Sequence, residues 1–264
     1  MTDAIDAALA AALIIRREDR AAFDDDPSRT HTVWQTSSID ALLDGAYEGD
    51  LTLGELAAHG DLGIGTIQQL DGELILLDGQ FFTVAADGTV HEMSPTTLTP
   101  FAVVCAFAPS APVVLDGPLA LLDLTATIDA AAPATEPVVA VRVDGRFREL
   151  HLRSVPKQRR PYKPLQEVVA QQTDWHVQRA SGTLVGFRFP ASAQGIDVAG
   201  YHLHFLSDDR TVGGHVIDLT LEDGILLIDG AHDLHLEIPA GVRIGGADTS
   251  AAKAAAIRAV EGGE

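Results

Sequence analysis

Short apolar runs cut by Asp-Gly pairs recur along the chain, the spacing of strands joined by tight turns rather than of long helices. The plainest case runs from Asp71 to Gly88, where Leu74 to Leu77 and Phe81 to Val84 are flanked by Asp71-Gly72, Asp78-Gly79 and Asp87-Gly88. It predicts a β-hairpin. Glu222 to Gly230 repeats the design with Asp223-Gly224 and Asp229-Gly230, which predicts a second hairpin and two sheet-bearing halves. The divide is expected between Thr125 and Pro137, where alanine, threonine and proline thicken. Helical periods are fewer. Ser38 to Tyr47 and Leu53 to His59 each open after a capping-type residue, and Pro164 to Gln172 starts on proline. Ala7 to Ile15, closed by Arg16, Arg17 and Arg20, has the spacing of an amphipathic helix that leads into an acidic linker, Asp24 to Ser28. The expected fold class is α/β in the broad sense, a strand-rich mixed α+β chain of two domains with mixed β-sheets and flanking helices. Residues 1–32 would form the helix and linker, 33–130 a first sheet domain, and 131–264 a second sheet domain with a C-terminal tail.

Composition narrows the function. The chain has 264 residues, 46% of them hydrophobic and 21% charged, a balance that excludes disorder, collagen and coiled coil as descriptions of the whole. A net charge of −20 repels phosphate backbones and anionic lipid, so neither a nucleic acid nor a membrane is the expected partner. Ala7 to Ile15 is too short to span a bilayer and follows Asp3 and Asp6 rather than a basic stretch, so no signal peptide is read and the cytoplasm is the expected place. The single cysteine, Cys105, lies in the apolar run from Phe101 to Phe107 and reads as a buried thiol, not a nucleophile. Positive charge is concentrated. No Lys or Arg occurs between Arg29 and Arg142, whereas Arg153 to Lys163 holds five cations in eleven residues, with two prolines that favour an extended path. These cations are either a solvated loop paired with the acidic surface or a site for a small anion.

The histidines carry the chemistry. From Gly200 to Asp218, strand alternation puts His202 and His204 on one face and Tyr201, Leu203 and Phe205 on the other. The polar stretch Ser207 to Arg210 and the Gly213-Gly214 pair let the chain reverse, so that His215 comes beside them. Three imidazoles with no fourth protein ligand describe a catalytic rather than a structural zinc site, although copper, nickel or cobalt would also suit them. Of the other seven histidines, His232 and His235 read as surface residues because a spacing of three fits a strand face poorly. His31, His59, His91 and His176 have no partner at ligand spacing, and His151 is at most a neighbour of the site. Gly63-Ile64-Gly65-Thr66 lacks the rest of a dinucleotide fingerprint and reads as backbone geometry. Glu73 is either outward-facing in its strand or placed at a site, and alternation alone favours the first.

The segments from Gln35 to Asp50, His59 to Gly79, Pro161 to Leu165 and Gly200 to Val216 are similar, in this order, to the bacterial acetolactate decarboxylase family. The resemblance implies a two-domain α/β zinc enzyme, usually a homodimer, that converts 2-acetolactate, a 2-hydroxy-3-oxo acid, to (R)-acetoin and carbon dioxide. It implies zinc ligation by His202, His204 and His215, the three that strand geometry selects. It places the family's active-site arginine on Arg153 and its first glutamate on Glu73, revising the outward reading. Gly65 and Thr66 fall on residues lining the substrate site, and Glu261 on a second glutamate. Residues 1–30 match nothing in the family, many relatives begin with a secretion signal that is not expected here, and Ser110 to Pro137 diverges. Zinc suits the substrate, since it can chelate ketone and hydroxyl oxygens together and stabilise the enediolate left by decarboxylation. Arg153 would then hold the departing carboxylate or assist reprotonation, with Glu73 and Glu261 positioning the hydroxyl and delivering the proton. Two other classes stand beside this one: a different three-histidine zinc lyase or hydratase, and a non-catalytic cupin-like protein that binds a small acid.

Overall fold

The computed structural model describes residues 14–16, for which only the backbone is considered, 30–133 and 135–239. Two β-sheets dominate. In spatial order the larger one runs β1 (Ile14–Arg16), β15 (Asp233–Glu237), β2 (Thr32–Thr36), β9 (Phe101–Cys105), β4 (Leu62–Thr66), β5 (Glu73–Leu77), β6 (Gln80–Val84) and β7 (Val90–Glu92). The smaller runs β10 (Val113–Ala120), β14 (Gly213–Ala231), β11 (Val138–Ser154), β12 (Thr173–Phe189) and β13 (Gly200–Ser207). The start of β14 also pairs with β13, so this second sheet curls until its two sides meet there. A two-stranded ladder joins β3 (Leu51–Thr52) to β8 (Leu98–Thr99).

Alternation explains the layering. On β5, Ile75 and Leu77 face a core shared with Val138, Ala140, Val185 and Phe187 of the second sheet. Leu74 and Leu76 face the other way, onto Leu51, Leu53 and Leu56. The first sheet is therefore covered on both sides, which is why every residue of β4, β5 and β9 is buried. The second sheet has its own outer core of Val139, Val141, Leu203 and Phe205, closed by a helix that contributes Leu124 and Ile128. Strands cross between the halves of the sequence: β10 pairs with β14, and β15 returns to lie between β1 and β2.

The helices are short: α1 (Ile39–Leu43), α2 (Leu53–Leu56), α3 (Leu121–Ala131) and α4 (Leu165–Val169). Ser38 caps α1, and Thr52 with Glu55 forms a capping box on α2, as the capping pattern led one to expect. The Asp71 to Gly88 segment folds as the predicted hairpin, with Asp78 and Gly79 both at positive φ at its tip. Three expectations need correction. Glu222 to Gly230 is no hairpin but the interior of the long strand β14, where Gly224 lies opposite Gly145 of β11. The stretch read as a divide begins within α3, whose two inward residues, Leu124 and Ile128, are spaced one turn apart. Ile14 to Arg16 forms a strand parallel to β15 rather than the end of a helix. The rest of that expected helix and the linker from Asp24 to Ser28 lie outside the described residues. Among the described residues no helix is long and apolar enough to cross a membrane.

Candidate metal centre and its pocket

On β13, Tyr201, Leu203 and Phe205 join the outer core, which turns His202 and His204 toward the first sheet. The turn to β14 is built locally: Ser207 Oγ accepts from the backbone N–H groups of Thr211 and Val212, and Asp209 from Thr211. β14 then sets His215 directly opposite His204 on one side and Arg153 of β11 on the other. Gly214, at φ +142°, makes that approach possible, because a Cβ there would sit 2.9 Å from the Arg153 carbonyl oxygen.

The three imidazoles converge as predicted. His202, His204 and His215 are all buried, their rings lie 5.0 to 5.5 Å apart between centroids, and their ligand nitrogens lie within 4.8 Å of one another. His202 Nε2 and His204 Nε2 are separated by 3.2 Å. His204 Nδ1 donates to the Leu74 carbonyl at 2.9 Å, which leaves Nε2 as the unprotonated nitrogen with a lone pair to offer. Burial, and then the nearby Arg153 charge, pushes His202 down to about 3. Burial also holds His204 well below the ordinary imidazole range. These two rings are thus neutral at cellular pH, the state a metal requires. Neutral, converging nitrogen donors with one ring oriented by a backbone carbonyl fit a zinc-type divalent ion.

Two charged groups complete the centre. Glu73, aligned with Ile75 and Leu77, is 8% exposed, so its strand's alternation points it into the inter-sheet core and not outward. Its Oε2 is 3.5 Å from His204 Nε2, and its Oε1 is 3.5 Å from Arg153 Nη1. Arg153 is 4% exposed and faces away from Leu152, which belongs to the outer core. The cationic segment splits accordingly. Arg153 enters the site, while Lys157 pairs with Asp71, Arg160 with Glu48 and Lys163 with Glu167 at the surface.

A pocket open to solvent lies over these groups. Gly65, Thr66, Glu73, Arg153, His202 and His215 line it together with Ile39, Leu42, Leu165 and Val169. Thr66 sits opposite Glu73 in the β4–β5 ladder and donates through Oγ1 to the Gly72 carbonyl at 2.8 Å. At Gly65 a Cβ would meet the Phe101 carbonyl oxygen at 2.3 Å, so glycine there is required by close approach of β9. The apolar wall from α1 and α4 was not assigned to the site from sequence, although both helices were; only three-dimensional folding brings them over β4 and β11. Glu261 lies outside the described residues.

The other histidines divide. His232 is exposed as expected, but His235 is buried on β15, between β1 and β2, and is not a surface residue. His176 does have partners at ligand spacing: it groups with His151 and Asp174. Cys105 is buried, and burial raises its thiol well above the usual range, in keeping with an inert core residue.

The family model for alpha-acetolactate decarboxylase matches residues 33–246. The alpha-acetolactate decarboxylase of Methylococcus capsulatus is 46% identical over 209 residues, covering 79% of this chain and 80% of that one. Its counterpart in Klebsiella aerogenes is 43% identical over 79% of this chain and 80% of its own. The crystal structure of alpha-acetolactate decarboxylase from Bacillus subtilis strain 168 superimposes with a TM-score of 0.82 at 36% identity, over 88% of this chain and 99% of that one. The chain therefore belongs to the alpha-acetolactate decarboxylase family and is an enzyme that decarboxylates acetolactate.

Proposed function

We propose that the chain converts (S)-2-acetolactate to (R)-acetoin and carbon dioxide at a zinc ion held by His202, His204 and His215, within acetoin metabolism. The observation that carries this reading is the convergence of three buried imidazoles, two held neutral, on a pocket that also contains a buried Arg–Glu pair. A zinc ion held by His202, His204 and His215 would supply Lewis acidity that stabilises negative charge developing on the substrate's oxygens. Everything else falls to the protein.

Arg153, planar and always charged, binds the substrate carboxylate and orients the bond to be broken. Glu73 fixes Arg153 from one side through Oε1 and offers Oε2 to the substrate hydroxyl. Glu73 or Glu261 then returns a proton to one face of the carbon that lost carbon dioxide, which sets the handedness of the product. Gly65 and Thr66 bound the substrate on the β4 side, and Ile39, Leu42, Leu165 and Val169 seat its methyl groups and keep water from competing for the proton. The working form is read as a homodimer, which the family resemblance supports.

The test is direct. Zinc-loaded protein is given racemic acetolactate, and carbon dioxide and the acetoin enantiomers are measured. The expected result is (R)-acetoin, formed first from the (S) substrate. A fully zinc-loaded protein that releases no carbon dioxide would sink the reading, and activity in a separate bicarbonate assay would point to another three-histidine lyase or hydratase.

A further inference from the structure

We propose that His151, Asp174 and His176 form a second site, for a divalent transition-metal ion, on the β11–β12 ribbon outside the pocket. His151 and His176 are direct cross-strand partners, and Asp174, two residues before His176, lies opposite Arg153. Directly opposed residues of an antiparallel pair bring their Cβ atoms to about 5 Å, close enough for one ion to reach both rings. The side chains have already met: His151 Nε2 is 2.8 Å from Asp174 Oδ2, and the two imidazoles stack at 4.2 Å between centroids. One ligand atom from each of the three residues lies within 4.8 Å of the others. Glu149 Oε1 stands 3.6 Å from His176 Nδ1, as a carboxylate that orients the ring or adds a fourth oxygen.

The donor set selects the ligand. Two imidazoles and a carboxylate suit zinc, cobalt or nickel better than calcium or magnesium, which take oxygen almost alone. The −20 net charge gathers cations near the surface. The side chains of His151, Asp174 and His176 are 26%, 50% and 58% exposed, so water competes for the ion and the site exchanges readily. A bound ion would tie β11 to β12 two residues from Arg153, at the root of the side chain that enters the catalytic pocket. The site uses no residue of the three-histidine centre and stands whether or not that centre holds zinc.

The test uses metal-free, tag-free full chain titrated with Co²⁺ and followed by calorimetry. Two classes of site are expected: one lost in His204→Ala, and a second, roughly tenfold or more weaker for want of a buried shell, lost in both His151→Ala and His176→Ala. Asp174→Asn should weaken the second class only. In wild-type protein the second equivalent of Co²⁺ should broaden the ring proton signals of His151 and His176 in NMR spectra, a readout that needs no variant. One equivalent in wild type, two equivalents in both histidine variants, or broadening that spares these rings would overturn the proposal.

Discussion

His202, His204 and His215 belong to the same curled sheet as His151 and His176, yet their surroundings differ. The first three face the inter-sheet core, where burial holds two of them neutral and the Leu74 carbonyl fixes one tautomer. The other two lie near the Ser154–Thr173 end of the β11–β12 ribbon among carboxylates that water also reaches. Both groups bring donor side chains together across neighbouring strands; the covering sheet leaves one of them buried beside a pocket and the other open to water. The burial of the inner group comes in part from β5, a strand from the other half of the chain, whose Leu74 carbonyl meets His204.

The largest effect that would break or sharpen this contrast is expected from His204→Ala, which removes the ring at the middle of the inner group. Tightly held zinc should fall by one equivalent per chain and decarboxylation by roughly 10³-fold or more. Elemental analysis alongside an acetoin assay checks it; retained zinc with full activity would show that the inner group is not the centre. Arg153→Ala, at unchanged zinc content, should lower kcat by about 10²- to 10³-fold. Arg153→Lys should restore only part of that, because an ammonium cannot present a planar fork to a carboxylate. Full activity in the alanine variant would remove Arg153 from the reaction.

Acid should separate the two groups more gently. His202 titrates at about 3 in the folded, metal-free chain, whereas an unfolded imidazole titrates near 6.5. Between those values the unfolded chain binds a proton that the folded chain refuses. The stability associated with His202 is therefore complete above about pH 6.5 and is lost as the pH falls toward 3. The urea midpoint of zinc-stripped protein should drop between pH 7 and pH 5, and by less in His202→Gln; equal drops would mean that this ring is not the group concerned. The smallest effect belongs to the outer group, where His176→Ala should leave decarboxylation of the zinc-loaded enzyme within about twofold, as expected of an exposed strand position. A larger loss, read as kcat, would tie the ribbon to the chemistry.

Much of the site could be read from residues alone because its signals are local. Alternation over His202, Leu203 and His204, a polar turn and a glycine pair specify the imidazole trio without any knowledge of the rest of the fold. Glu73 is the instructive contrast. In a strand with one wet face it would point outward, and only the resemblance to a family overruled that; both faces of β5 are in fact covered. The same covering explains His235, which a spacing argument puts at the surface although its strand is flanked on both sides, by β1 and β2. Asp-Gly pairs misled for another reason. Asp78-Gly79 turns because both residues take positive φ, whereas Gly224 is present because β11 passes so close that a Cβ would lie 2.8 Å from the Asp144 carbonyl oxygen. A dipeptide does not say which of those two needs it serves. α3 escaped because its threonine- and alanine-rich sequence buries only Leu124 and Ile128, too sparse a stripe to separate from a linker.

The position of β15 between β1 and β2 bears on how the enzyme is born. A ribosome delivers β2, β9, β4 and β5 early, but the gap beside β2 stays open until Asp233–Glu237 has been synthesised. Until then β2 offers unpaired backbone groups to any neighbouring nascent chain, so synthesis of β15 both completes the sheet and removes an edge along which copies could stick together.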